Sequence, residues 1–178
     1  DWADYDVLVL VGGAERAFTS RLDDLKEWIR DGGTLIAQRS AAAWAARSEL
    51  TPNIAAPGTG APVDPEAEKQ KETEEPPARQ DFDQASAIPG AQQIGGSIWK
   101  ADLDVTHPLG FGYTDRSLPV WRDHSYFFAP SKSPYGTVAQ LTEDPHLSGY
   151  VSSRNRERLA GSPSAMADRL GGGTVVLL

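Results

Sequence analysis

Two short apolar runs separated by glycine turns and a helical segment constrain this chain more than any other feature of its sequence. Asp6–Val11 is the first run, and Gly12 and Gly13 end it. Thr34–Ala37 is the second. Short continuous apolar runs are typical of parallel strands buried on both faces, and a helix between two of them makes a right-handed crossover. The pattern predicts an α/β fold with an open parallel sheet.

The helix between the runs has recognisable start and stop signals. Ser20 and Asp23 have the spacing of a capping box, and Asp31–Gly33 supplies a left-handed C-cap. Apolar residues recur on one face of this helix. We therefore expect Trp28 and Ile29 to be among the least exposed residues.

The turn after the second strand, 38–41, lies at the carboxyl end of the sheet, where open α/β folds keep their active sites. Ser40 is a candidate nucleophile there, with His107 or His124 as its base. Ser40 lacks the small neighbours of a Gly-x-Ser-x-Gly elbow, so a helix cap is the competing interpretation. Arg39 is a candidate ligand for a carboxylate.

A second group of polar residues lies at the end of the predicted strand 96–104 and just after it. Asp102, Asp104 and His107 are close enough in sequence to surround a divalent ion. Alternation places Asp102 and Asp104 on one face of the strand, but nothing fixes a third or fourth ligand, and no His-Glu-x-x-His motif occurs. A polar sheet edge leading into a turn is the alternative. Trp99, Ala101 and Leu103 alternate with polar residues, which indicates a half-buried strand.

Composition divides the chain into three parts. Residues 1–50 form a strand, helix, strand, helix core, and residues 86–178 form the rest of the same domain with additional β-strands. Residues 51–85 are rich in Pro, Ala and Glu, and such a segment buries too little apolar surface to order itself. We expect 57–80 to be mobile, and deletion of 60–77 to change the melting temperature little.

Bulk composition excludes several classes of function. The 178 residues carry a formal net charge of −8, which disfavours nucleic acid and anionic membranes as partners. Cysteine is absent, so zinc-thiolate sites and a cysteine nucleophile are excluded. No apolar run approaches the roughly 20 residues of a membrane span.

The second half of the chain contains several further candidate elements. Four short strands, one charged turn or helix start, and a final strand–glycine–strand unit are predicted. They are Leu118–Trp121, Tyr126–Ala129, Thr137–Leu141, Leu147–Val151, Arg154–Arg158, and Ser164–Leu170 with Val175–Leu178.

The order of these elements resembles the class I glutamine amidotransferase-like fold. Ala3–Gly13 and Trp28–Ala37 carry that resemblance. Trp99–Tyr113, Asp144–Tyr150 and Leu159–Gly161 are similar to the amidotransferase-like domain appended to bacterial zinc carboxypeptidase-like proteins. The resemblance covers nearly the whole chain apart from the Pro/Glu-rich segment. It implies a flavodoxin-like sheet in a chain cut from a longer protein.

The resemblance also bears on function. Arg39 stands where an active amidotransferase carries its cysteine, so no catalytic residue carries over. We expect a non-catalytic accessory domain that packs against a neighbouring peptidase-like domain. Zinc would belong to that other domain, with no cofactor here, and the family resemblance favours a periplasmic or secreted protein. A serine hydrolase using Ser40 and a carboxylate-binding module remain the alternatives, and the oligomeric state stays open.

Overall fold

The structure is a computed structural model that describes residues 2–59, 79, 81–82 and 93–178. Nine strands, three α-helices and three 3₁₀ segments occur in these residues. The strands are β1 Val7–Leu10, β2 Thr34–Ala37, β3 Gly58–Thr59, β4 Ser97–Leu103, β5 Ser117–Arg122, β6 Tyr126–Phe127, β7 Thr137–Ser148, β8 Pro163–Leu170 and β9 Gly173–Leu177. The helices are α1 Leu22–Arg30, α2 Ser40–Arg47 and α3 Ser153–Leu159, and the 3₁₀ segments are Trp2–Asp4, Ala14–Arg21 and Pro108–Gly110.

Seven of the strands form one mixed sheet in the order β1-β2-β9-β8-β7-β4-β5. The pairs β1–β2 and β2–β9 are parallel, and the remaining pairs are antiparallel. Strands β3 and β6 form a separate antiparallel pair. The predicted adjacency of the first two strands, with Leu8 opposite Leu35, is confirmed. The fold is therefore a mixed α/β one in which three of the seven strands are parallel.

Both early helices pack on the same face of the parallel strands. Leu25 and Ile29 of α1 and the alanines of α2 share one core cluster with Leu35 and Val175. The prediction that β1 is buried on both faces is wrong. Val7 is 50% exposed and Val9 52% exposed, because no helix among the described residues covers their side of the sheet.

The limits of α1 agree only in part with the sequence signals. The proposed capping box is wrong, because Ser20 lies in a 3₁₀ segment that runs directly into the helix. Arg21 is the N-cap residue and has no side-chain capping bond within the described structure. At the other end Gly32 has a φ of 124° and its N–H donates to Ile29 O at 3.0 Å. The glycine stop is therefore confirmed.

Trp28 and Ile29 differ in burial although they are neighbours. Ile29 is fully buried, as predicted. Trp28 is only half-buried, so that prediction is wrong. Its ring lies over Gly33, and its indole N–H donates to Tyr5 O at 3.0 Å. The polar edge of the indole thus binds backbone at the rim of the sheet instead of entering the core.

The antiparallel half of the sheet has its own core. Trp99, Ala101 and Leu103 of β4 are buried and alternate with exposed residues, which confirms the predicted pattern. Leu159 of α3 is fully buried in the same cluster, together with Leu141 of β7.

The C-terminal strands also differ in extent from the sequence prediction. β7 continues to Ser148 through Pro145, where the sequence indicated a break. Irregular register between β7 and β4 allows one long strand to bend through that stretch. The β8–β9 hairpin is confirmed, with Met166 opposite Leu177. The charged segment is α3, whose first turn is capped by Ser152 Oγ accepting from Asn155 N at 3.3 Å.

The predicted mobile segment lies mostly outside the described residues. At its start the structure describes Gly58–Thr59, which form β3 and pair with β6, so the prediction that residues from 57 onwards lack regular structure is wrong there. None of the described helices has the length and apolar character needed to cross a bilayer.

Candidate functional site

The most unusual backbone near the carboxyl end of the sheet is at Arg39. This residue joins β2 to α2 with φ 57° and ψ −122°, a conformation that non-glycine residues rarely adopt. Two bonds hold the turn: Gln38 N donates to Leu10 O at 2.9 Å, and Arg39 N donates to Leu178 O at 3.1 Å. Such a conformation costs roughly 1–3 kcal/mol and persists only where the surroundings determine it.

Small residues surround the turn on both sides. Ala37 and Ala41, two residues before and after Arg39, are fully buried. On the neighbouring loop, a Cβ at Gly12 would lie 3.2 Å from Ser40 Oγ and 3.3 Å from Arg39 Cβ. The small-x-apex-x-small spacing of a nucleophile elbow is therefore present, with Arg39 at the apex instead of Ser40. This agrees with the expectation from the family resemblance that Arg39 stands in the place of the nucleophile.

Ser40 is the first residue of α2. Its Oγ accepts a hydrogen bond from Gly13 N at 3.0 Å, which ties the helix to the loop after β1. The expectation that Ser40 caps the helix is wrong, since Arg39 is the N-cap residue and no side-chain cap bond is formed in the described part of the chain. The hydroxyl instead fixes the loop beside the elbow.

The Arg39 guanidinium forms an ion pair with Asp123. Its side chain is 55% exposed, whereas that of Asp123 is 16% exposed. The Arg39 guanidinium, a candidate ligand for a carboxylate, is thus already paired with a carboxylate of this chain. The two residues are 84 positions apart, and no local motif marks Asp123, so sequence reasoning missed it.

The Asp123 loop also brings His124 to the elbow. Gly12, Gly13, Arg39, Ser40, His124 and Tyr126 line a cavity of about 340 Å³. The loop is anchored by Arg122, which is 8% exposed and donates to Tyr126 O. Burial lowers the pKa of Arg122 to about 10, against the opposing effect of Asp123.

His124 is unsuited to act as a base for Ser40. Burial, together with the smaller effects of the charges of Arg122 and Arg39, lowers its pKa to about 3. Its Nδ1 accepts from Tyr126 N at 3.4 Å, so the neutral ring carries its proton on Nε2. A general base works best with a pKa near the working pH. The structure thus brings Ser40 and His124 into one cavity without a hydrogen bond between them among the described atoms.

The other proposed base lies elsewhere. His107 Nδ1 accepts from Leu109 N at 3.1 Å and caps a 3₁₀ turn. It lines a separate cavity with Asp168 and Thr174. Ser40 and His107 are therefore not brought together by the fold.

The three candidate metal ligands are engaged with other partners. Asp102 receives two bonds of 2.8 Å from Arg116, which lower its pKa. Asp104 accepts from the Thr106 hydroxyl at 2.7 Å and its N–H at 2.9 Å, and these bonds lower its pKa. No group of three or more acidic or histidine side chains suited to a metal occurs in the described residues.

Substitutions of Arg39 test the strain at the elbow. Arg39→Gly and Arg39→Ala both lose the ion pair, so the difference between them reports on the backbone. We expect the glycine variant to be more stable by about 1 kcal/mol, since only alanine keeps the steric cost of a positive φ. Urea unfolding measures this difference. Glu49 also has a positive φ, of 60°, so Glu49→Gly and Glu49→Ala are a matched control pair away from the elbow. Equal stabilities of Arg39→Gly and Arg39→Ala would contradict the elbow geometry.

Comparison with solved structures identifies a similar architecture. A crystal structure of a ThuA-like protein from Parabacteroides merdae matches 99% of this chain with a TM-score of 0.50 and 11% sequence identity. That protein has a class I glutamine amidotransferase-like fold. This chain shares that α/β fold. It spans 60% of the length of the ThuA-like chain. No family model matches the sequence, and no curated protein matches it significantly.

Proposed function

We propose that this chain is a non-catalytic accessory domain with a flavodoxin-like, class I amidotransferase-like core. The observation that carries the proposal is the residue at the elbow. The apex that presents a nucleophile in an acyl-transfer enzyme holds Arg39, and its guanidinium pairs with Asp123. A guanidinium stays protonated and cannot act as a nucleophile. The site therefore lacks the first requirement of covalent catalysis.

The proposal extends to the parent protein. The sequence resemblance supports a zinc carboxypeptidase-like domain next to this one, which would hold the zinc and perform the hydrolysis. In that arrangement this domain orients or stabilises its neighbour, and a periplasmic or secreted location follows from the same resemblance. Fold likeness alone does not supply this role, so it needs a direct test.

The reading frame on both sides of the chain provides that test. We expect it to encode a zinc carboxypeptidase-like domain with its ligand motif. In the purified parent, deletion of residues 1–178 should lower the melting temperature or yield of the peptidase domain. A reading frame without any zinc-ligand motif would contradict the proposed partner.

Carboxylate binding at the elbow is a second candidate function. Arg39 is exposed at the mouth of the 340 Å³ cavity, and its pairing with Asp123 demonstrates that a carboxylate fits its guanidinium. A ligand carboxylate would have to displace Asp123. Asp123→Asn should therefore strengthen binding of small carboxylates such as acetate or glutarate, whereas Arg39→Met should abolish it; calorimetry measures both.

Turnover assays separate both proposals from the serine hydrolase alternative. We expect the chain and its Ser40→Ala and Arg39→Ala variants to be equally inactive on ester and peptide substrates, with or without added zinc. The reason is that Ser40 lacks a competent base and a position at the apex. Activity that disappears in Ser40→Ala would overturn the accessory role.

A cysteine at position 39 tests directly whether the elbow presents the side chain at its apex. The chain has no cysteine of its own, so Arg39→Cys creates a single thiol at the N-terminus of α2, where the helix dipole favours the thiolate. It should react with iodoacetamide faster than the single thiol of Thr19→Cys, an exposed position in a 3₁₀ segment. Equal rates would indicate that the apex does not present its side chain as an elbow does.

A further inference from the structure

A third cavity lies at the opposite end of the parallel strands from Arg39. It has a volume of about 520 Å³ and is open to solvent on one side. Asp6, just before β1, and Gly33, just before β2, place it at the amino end of the sheet. Neither the elbow nor the metal candidates contribute to it. Its lining consists of two glycines and two kinds of side chain, aromatic and acidic.

The aromatic side chains form a wall that is fixed before any ligand arrives. The Trp28 ring lies so close to Gly33 that a Cβ there would be 2.5 Å from ring carbons. Its indole N–H donates to Tyr5 O at 3.0 Å. Trp2 continues the wall, with its ring centroid 6.0 Å from that of Trp28 and 6.0 Å from that of Phe18. A preformed wall saves the entropy cost of ordering side chains on binding.

Four carboxylates complete the cavity: Asp6, Asp24, Glu27 and Asp31. Asp24 pairs with Arg21 at 3.2 Å. The other three have no ion pair with any described cationic residue, and no Lys or Arg lines the cavity. Asp31 is also the C-cap of α1, where the helix dipole adds partial negative charge. The four carboxylates therefore outnumber the one described cation at the rim of the cavity, Arg21, which pairs with Asp24.

One aromatic face at this site already carries a cation. The Arg21 guanidinium carbon lies 5.0 Å from the Trp2 ring centroid, which is within the range of a cation–π interaction. The combination of indole faces and carboxylates is the chemistry that recognises alkylammonium groups. An anion would be repelled, and a hydrated metal ion gains little from aromatic walls.

We propose that this cavity binds an organic cation, an alkylammonium group that rests against the indole wall and faces Glu27 and Asp31. Two sources share this chemistry: a free quaternary ammonium compound and a lysine side chain of a peptide. The inference is independent of the accessory role, because it uses none of the residues at the elbow.

The experiment is an NMR titration of the ¹⁵N-labelled chain, followed at the Trp28 indole N–H. The probes are tetramethylammonium and N-acetyl-lysine methylamide, with 3,3-dimethylbutanol as a neutral compound of similar shape. We expect the cations to bind with a dissociation constant on the order of millimolar. The probe that binds more tightly assigns the source.

Variants connect the binding to the cavity. The double variant Glu27→Gln, Asp31→Asn keeps the size of both side chains and should weaken binding at least about fivefold, as expected for two lost charge interactions. Glu157→Gln, on the exposed side of α3, makes one of the same charge changes elsewhere and should leave binding unchanged. Each variant is checked for folding by its amide spectrum.

Three results would overturn the proposal. One is a neutral alcohol that binds as tightly as the cations, which would make the cavity merely apolar. The second is equal weakening by the double variant and by Glu157→Gln, which would indicate a general charge effect. The third is an unchanged Trp28 indole signal at the highest soluble concentration of both cations.

Discussion

Gly173→Ala should destabilise the domain by about 3 kcal/mol or more. Gly173 begins β9 and is buried where the β8–β9 hairpin meets the end of α1. A Cβ there would overlap the carbonyl oxygens of Ile29 and Gly33. Both are backbone atoms, so the clash cannot be relieved by turning a side chain. Urea unfolding followed by circular dichroism measures the loss.

Gly95→Ala is the matched control for that substitution. A Cβ at Gly95 would meet nothing within 4 Å, and the residue is exposed. We expect its stability to change by less than about 0.5 kcal/mol. If both variants unfolded at the same urea concentration as the parent chain, the close approach of β9 to α1 would be wrong.

The second large effect is a loss of stability in mild acid, caused by His124. An unfolded histidine has a pKa near 6.5, whereas burial and the nearby Arg122 and Arg39 lower the native pKa to about 3. Between these values the unfolded chain binds a proton that the native chain does not. The contribution of neutral His124 to the free energy of unfolding is therefore fully present above about pH 6.5, and it is lost as the pH drops towards 3. At about 1.4 kcal/mol per pKa unit, the loss of unfolding free energy caused by His124 is at most about 4–5 kcal/mol. Partial solvent access to the ring makes the actual loss smaller.

Two variants isolate this histidine. Between pH 6.5 and 4.5 the free energy of unfolding of His124→Phe should fall less than that of the parent chain, because the phenylalanine ring never binds a proton. Arg39→Met should raise the pKa of His124 by removing a nearby positive charge, and so flatten the same interval. Asp123 precedes His124 in the chain and pairs with Arg39, so it is left unchanged in both variants. Imidazole signals followed by NMR report the pKa directly, and titration of His124 near pH 6.5 would contradict the prediction.

The sequence predicted much of the fold because its signals are local. Glycine turns and apolar runs located β1, β2 and the stop of α1, and strict alternation located the buried side of β4. Which side of the sheet the helices cover is a tertiary property. Val7 and Val9 are as apolar as any central strand residue, and only the placement of α1 and α2 on the opposite face explains their exposure.

The candidate site was predictable in position but not in composition. The turn after β2 was identified from strand order alone. Its ion pair joins Arg39 to a loop 84 residues later, and no periodicity connects the two. Ser40 has the chemistry of a nucleophile, but the alanines at positions 37 and 41 are spaced symmetrically around Arg39, and it is Arg39 that occupies the apex. Charge neutralisation by Asp123 and desolvation of His124 depend on the packed structure.

The position of β9 has a consequence for how this domain is made. β9 is the last of the nine described strands, yet it lies in the sheet between β2 and β8. During synthesis β1 and β2 emerge early and the antiparallel strands follow, but the two groups share no strand pair until residues 173–177 appear. Such long-range closure slows folding and leaves strand edges unpaired meanwhile. The seven-stranded sheet should therefore form during synthesis only after residues 173–177 have left the ribosome.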